Sequence, residues 1–130
     1  MTDYDSPWKE ITDQLFPSLM AFFFPHIYAE IDWIVPVKFL DKELQDFESG
    51  SAEGRKYLDK LVDVCLLDGN RVWVLIHIEF QADYDSNFAQ RVFVYYYKLY
   101  DCYKREVVSL GILGDLNKDW RPNTFEMSRW

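Results

Sequence analysis

The sequence predicts an α/β (α+β) fold, a mixed sheet built around an antiparallel hairpin and flanked by helices. Three stretches carry this expectation. Between Asp59 and Gln81, two apolar, β-branched-rich arms (Leu61–Leu67 and Val72–Gln81) flank Asp68-Gly69-Asn70. An Asp-Gly or Gly-Asn tip between such arms is the strongest short-range hairpin signal. Asn87 to Tyr103 has helical periodicity, with Phe88, Val92, Tyr95, Tyr96 and Leu99 on one stripe. Glu106 to Leu113 is a further apolar strand, which that helix returns beside the second arm through a right-handed crossover.

The hairpin tip sets a register. With Gly69 at its centre, residues whose numbers sum to about 138 face each other. Asp59 then falls opposite Glu79 on the same sheet face, with Cβ atoms roughly 4.5–5.5 Å apart. Alternation puts His77, Glu79 and Gln81 on that face and Val74, Ile76, Ile78 and Phe80 on the other. Two opposed carboxylates repel each other, and a divalent cation is the simplest offset. Hard Mg²⁺ or Mn²⁺ takes one or two protein carboxylates and keeps the rest of its shell for water and phosphate. The competing reading is that the arms splay beyond Val62 and Ile78, leaving Asp59 as the cap of a loop.

Along the chain, Ser6 reads as a helix N-cap and Pro7 as the first helical residue, with Lys9 and Glu10 in the first turn. Trp8, Ile11, Leu15 and Phe16 give an apolar face, Pro17 interrupts it, and Leu19–Phe24 continue as a second apolar turn. Pro25 opens a short helix through Ala29. The aromatic stretch reads as core rather than as a membrane anchor, because its polar face lacks basic residues. Ile31 to Val37 is an extended connector, since Pro36 forbids a continuing helix. Phe39–Phe47 is a short helix or a loop whose Asp41, Glu43 and Asp46, with Glu48 beyond, form a solvated acidic face. A polar loop, Glu48–Gly54, and Arg55–Leu58 lead into the hairpin. Asp83–Ser86 is a loop and helix cap. Gln90, Arg91 and Tyr97 lie near the hairpin's polar face, with Arg91 either a surface ion pair or a phosphate contact. Gly114–Trp130 has turn residues and no clear period.

The 130 residues form one domain, 1–130, by length. With 49% apolar and 18% aromatic residues, disorder is excluded. The net charge of −8 is the wrong sign for a strong non-specific grip on nucleic acid. It leaves room for metal chemistry, because site carboxylates add to the acid count and a bound cation reverses the local field. Cys65 and Cys102 fit neither a disulfide framework nor a zinc knuckle and read as small apolar fillers. No signal peptide is visible and Leu19–Phe24 is too short to span a bilayer, so a cytoplasmic protein without membrane association is expected. His77-Ile78-Glu79 matches the His-X-Glu of zinc deaminases, but the Pro-Cys-X-X-Cys those enzymes need is absent.

FLDKELQ at Phe39–Gln45, DKLVDV at Asp59–Val64 and VLIHIEFQ at Val74–Gln81 are followed by a segment rich in Arg and Tyr. An acidic residue, a short hairpin and then Glu-X-Lys or a variant resembles the core of the PD-(D/E)XK nuclease superfamily. The wording is closer still to one bacterial branch, the recombination-promoting nuclease and transposase-like family. The resemblance runs from DSPWKE at Asp5 to RPNTFE ending at Glu126. Its long phrases are more specific than the spacing of two carboxylates.

The resemblance implies a restriction-endonuclease-like core and a Mg²⁺- or Mn²⁺-dependent DNA endonuclease linked to recombination or mobile elements. It makes Asp59, Glu79 and Gln81 the catalytic set. Asp59, Glu79 and the Phe80 backbone carbonyl would hold the metal, with Glu43, His77, Gln90 and Arg91 in support. Gln81 stands where much of the superfamily has Lys, and the branch resembled carries Gln there too. An amide orients groups by hydrogen bonding but brings no charge. The family runs on past this chain, so a C-terminally shortened domain is expected, and a homodimer by analogy with nucleases that cut both strands. The alternative is a catalytically silent protein-interaction module, favoured by the acidic charge and by Gln81. Convergence of Asp59 and Glu79 to about 3–5 Å in a solvent-open cleft would favour the enzyme.

Overall fold

The computed structural model describes residues 5–48, 59–114 and 119–122. Helix α1 spans Asp5–Phe23, α2 Pro25–Tyr28, strand β1 Lys38–Phe39, α3 Asp41–Glu48, β2 Lys60–Cys65, β3 Trp73–Gln81, α4 Phe88–Tyr103 and β4 Val107–Leu113. The lead-in expected over 49–58 lies outside the described residues, as does the end of the RPNTFE phrase.

The strands form one mixed sheet in the order β1-β2-β3-β4. β1, β2 and β3 are antiparallel neighbours, and β4 lies parallel to β3 after the α4 crossover. From Lys60↔Ile78 to Cys65↔Trp73, every β2–β3 pair sums to the expected 138. The ladder runs past Val62 and ends at the Lys60↔Ile78 pair, so Asp59 lies one residue beyond the last paired rung, as the competing reading has it. At the tip, Leu66 N–H donates to the Val72 carbonyl and Arg71 N–H to that of Asp68. The Asp68 carboxylate accepts the Asn70 N–H. The left-handed residue is Arg71, φ 52°, rather than the glycine, so the loop is wider than a two-residue turn.

Helix α1 runs straight through Pro17, where an interruption was expected. The proline removes one hydrogen bond, to the Asp13 carbonyl, and costs about 3 kcal/mol. Against this, Phe16 and Met20 on either side of it are fully buried, each contributing about 1.5–3 kcal/mol. They pack with Ile31, Val62, Val64, Ile76 and Ile78 on one sheet face. On the other face Leu44 of α3 and Leu99 of α4 meet Leu61, Leu75 and Val107. The central strands are covered on both sides, which is why their arms read as nearly continuous apolar runs.

On α4 the buried stripe is Phe88, Tyr95 and Leu99, continuing to a half-buried Tyr103. Tyr96 falls off it and is exposed, with Phe93, Tyr97 and Tyr100. Cys65 is buried, but Cys102 lies beside the stripe and is exposed, so it fills no core. Among the described residues no helix is long and apolar enough to cross a membrane.

The segment from Asp41 is a helix, and its acidic face is not uniformly solvated. Lys42 and Glu43 are exposed, whereas Asp41 is buried. Its Oδ1 accepts the Leu61 N–H at 2.8 Å, and its Oδ2 accepts from Lys60 Nζ at 2.8 Å. Lys60, only 2% exposed, also reaches Asp13 Oδ1 on α1 at 2.5 Å and lies over the Phe39 ring. Removing one partner of a buried charge network costs about 3–5 kcal/mol. Asp41→Ala should lose stability of that order in urea unfolding, while Glu43→Ala, on the same helix but exposed, should change it by about 0.5 kcal/mol or less. Equal effects of the two substitutions would contradict this account of Asp41.

Candidate functional site

The polar end of the hairpin is assembled by three neighbouring elements. Asp59 immediately precedes β2 and is 4% exposed. Its Oδ1 accepts the Phe80 backbone N–H at 2.8 Å. Ladder geometry explains the contact. Leu75 N–H and the Gln81 carbonyl bond to the β4 side, so odd-numbered residues of β3 direct their peptide groups toward β4 and even-numbered ones toward β2. The N–H and carbonyl of Phe80 therefore both face the β2 side, where the Asp59 side chain takes the place of a strand carbonyl. The carbonyl expected as a ligand points the same way.

Glu79 is fully buried on the face shared by His77 and Gln81. His77 Nε2 lies 2.9 Å from Glu79 Oε1, and His77 Nδ1 lies 3.1 Å from Ser109 Oγ. Both contacts follow from register. His77 is opposite Ser109 in the parallel pair, and Glu79 is opposite Gly111. A Cβ at Gly111 would stand 3.0 Å from the Phe88 ring, so Phe88 of α4 packs into the space this glycine leaves. Tyr95, one helical face along, sets its ring edge-to-face on His77 at 6.1 Å.

Gln81 is locked at both ends of its amide. Its Nε2 donates to the Asp83 carbonyl at 2.9 Å, and its Oε1 accepts from Arg91 Nη2 at 2.6 Å. Arg91 Nη1 donates to Asp85 Oδ2 at 2.6 Å, and the guanidinium lies over the Phe88 ring. Arg91 is therefore brought to the strand residues as expected. Glu43 and Gln90 are exposed and make none of these contacts. Ser109 and Asp41 were not found from the sequence. Ser109 is the only polar side chain in the apolar strand Val107–Leu113, a usable signal once that strand's partner is known.

The remaining carboxylate oxygens, Asp59 Oδ2 and Glu79 Oε2, are buried as well. The paired register stops one rung short of Asp59 and Glu79, and the expected solvent-open cleft is not seen, because α4 lies over this face of β3. Among the described residues no group of three or more His, Cys, Asp or Glu is arranged to hold a metal ion. The protein donors available at the hairpin end are two carboxylates and a peptide carbonyl. This all-oxygen set suits Mg²⁺ or Mn²⁺ and not zinc.

Burial lowers the His77 pKa from 6.5 to about 4, although the Asp59 charge pulls it upward. Desolvation of the imidazolium outweighs the nearby carboxylate. The unfolded chain therefore binds this proton first as pH falls. The stability contribution is complete above pH 6.5, declines between 6.5 and about 4, and changes no further below that. The whole window corresponds to about 3 kcal/mol. Thermal unfolding across pH 7 to 4 should show this loss, and His77→Asn should flatten that part of the profile; an unchanged slope would contradict the burial account.

No family model matches this chain, and no curated protein or solved structure matches it either.

Proposed function

We propose that the chain is a divalent-metal-dependent nuclease of restriction-endonuclease-like architecture, hydrolysing phosphodiester bonds in DNA at the Asp59–Glu79 end of the hairpin. The observation that carries this reading is the hydrogen bond from the Phe80 N–H to Asp59 Oδ1, which holds the Asp59 carboxylate against the peptide that follows Glu79. The order of helix, antiparallel hairpin, crossover helix and parallel strand agrees with the architecture implied by the resemblance. A setting in recombination or mobile elements rests on that resemblance alone.

Asp59, Glu79 and the Phe80 carbonyl would hold the cation. When bound, Mg²⁺ or Mn²⁺ supplies an activated water and neutralises charge at the phosphate. The chain's own residues do the rest. His77 orients the Glu79 carboxylate through Nε2–H, and the Phe80 N–H orients that of Asp59. Gln81, which replaces a charged lysine, receives a cation from the helix instead: the Arg91 guanidinium lies against its amide oxygen. That guanidinium is a planar donor suited to a phosphate oxygen.

The alternative, a silent interaction module, is favoured by two observations. Both carboxylates are buried, and Phe93, Tyr96, Tyr97 and Tyr100 form an exposed aromatic face on α4. A homodimer through that face would be one form of it. Calorimetric titration with Mn²⁺, paired with plasmid nicking, separates the readings. The nuclease reading expects binding in the wild type, weakened at least tenfold in Glu79→Ala and Asp59→Ala, with nicking lost in both. Absence of binding at millimolar Mn²⁺ would leave the interaction module as the better account.

A further inference from the structure

We infer that Ser109 is a positioning residue for Glu79, acting through His77: its hydroxyl fixes which imidazole nitrogen carries the proton and so where the carboxylate is held. As a contribution to metal binding, this rests on the proposed reading of Glu79 as a ligand. The hydrogen-bond chain itself stands on geometry.

The three residues lie on one face of the β3–β4 pair. His77 and Ser109 are register partners, Glu79 is two residues further along β3, and the contacts are 3.1 and 2.9 Å. With Glu79 ionised, as a metal ligand is, its carboxylate only accepts, so Nε2 is the protonated nitrogen. A neutral imidazole has a single N–H, which leaves Nδ1 as an acceptor, and the Ser109 O–H is the group placed to donate to it. The alternative tautomer would turn the Nε2 lone pair toward the Glu79 carboxylate, and the two acceptors would push apart. With the serine hydroxyl in place, His77 and Glu79 are both 0% exposed.

The surroundings isolate this chain. Every other residue of β4 is apolar or glycine, so the strand offers a single hydroxyl, at the rung of the buried histidine. The Tyr95 ring packs edge-on against the imidazole, limiting the tilt open to it. A half-buried serine could serve only to satisfy a histidine. What distinguishes a positioning role is that the second acceptor in the chain is the candidate ligand, and that loss of the hydroxyl should register at Glu79. Outer partners that orient a metal ligand typically change metal affinity by about 10–100-fold.

The test uses Ser109→Ala and Ser109→Thr in the full chain, with two readouts. The first is the His77 tautomer from long-range ¹H–¹⁵N correlation spectra. The chain has two histidines, and His26 is exposed, so the imidazoles are separable and His26→Ala assigns them. The second is Mn²⁺ affinity by calorimetry, with circular dichroism verifying the fold. The expected result is a single Nε2–H tautomer in the wild type, a mixture in Ser109→Ala with Mn²⁺ affinity about 10–100-fold weaker, and recovery of both in Ser109→Thr. A wild-type tautomer retained in Ser109→Ala would overturn the inference. So would a mixed tautomer with Mn²⁺ affinity within about twofold of the wild type. If the wild type binds no Mn²⁺, the nuclease reading fails. The tautomer arm then decides alone: a shift in Ser109→Ala reversed by Thr supports Ser109 as the positioning residue of Glu79, and no shift overturns it.

Discussion

The hydrogen bond between the Phe80 peptide and the Asp59 carboxylate governs the polar end of this sheet. Strand β3 is paired on both sides, and its peptide groups alternate between β2 and β4. Where β2 begins, a side chain substitutes for a backbone acceptor. That substitution holds the Asp59 carboxylate against the peptide that follows the fully buried Glu79. The orientation of His77, the approach of Ser109 and the direction of the Phe80 carbonyl are set by the same two registers.

Burying Asp41, Asp59, Lys60, Asp63, His77 and Glu79 in a small sheet opposes folding unless each is met by a specific partner. Asp63 is met by the two terminal guanidinium nitrogens of Arg105, at 3.0 and 2.9 Å. Lys60 is held by two carboxylates from two helices. Paired apolar residues at these rungs would generally be no less stable. Burial of these groups is therefore not by itself a gain in stability.

Much of this was legible in the sequence because strand chemistry has period two. One glycine-centred tip fixed the β2–β3 register, and with it the face of His77, Glu79 and Gln81. Helix α4 and strand β4 were readable for the same kind of reason, from stripe and run. What escaped depends on contacts between distant segments. The pairing of His77 with Ser109 needs the offset of a parallel strand that no turn sets. The burial of Asp41 needs Lys60, nineteen residues away. The continuation of α1 through Pro17 reflects packing that outweighs local propensity, and the closing of the site follows from where α4 lands. The exposure of Cys102 and Tyr96 turns on helical phase, where neighbouring residues differ by about 100°.

Lys60 also ties this corner to the folding of the whole chain. Its ammonium joins the start of β2 to Asp13 on α1, forty-seven residues earlier, and to the first residue of α3. Those contacts close long loops, so the packing that buries this corner forms only when distant segments meet. The carboxylate pair is therefore not a local motif that an isolated hairpin could present. It belongs to the cooperative unit, forming when the helices dock and dispersing when they leave, so that opening this corner amounts to opening the domain.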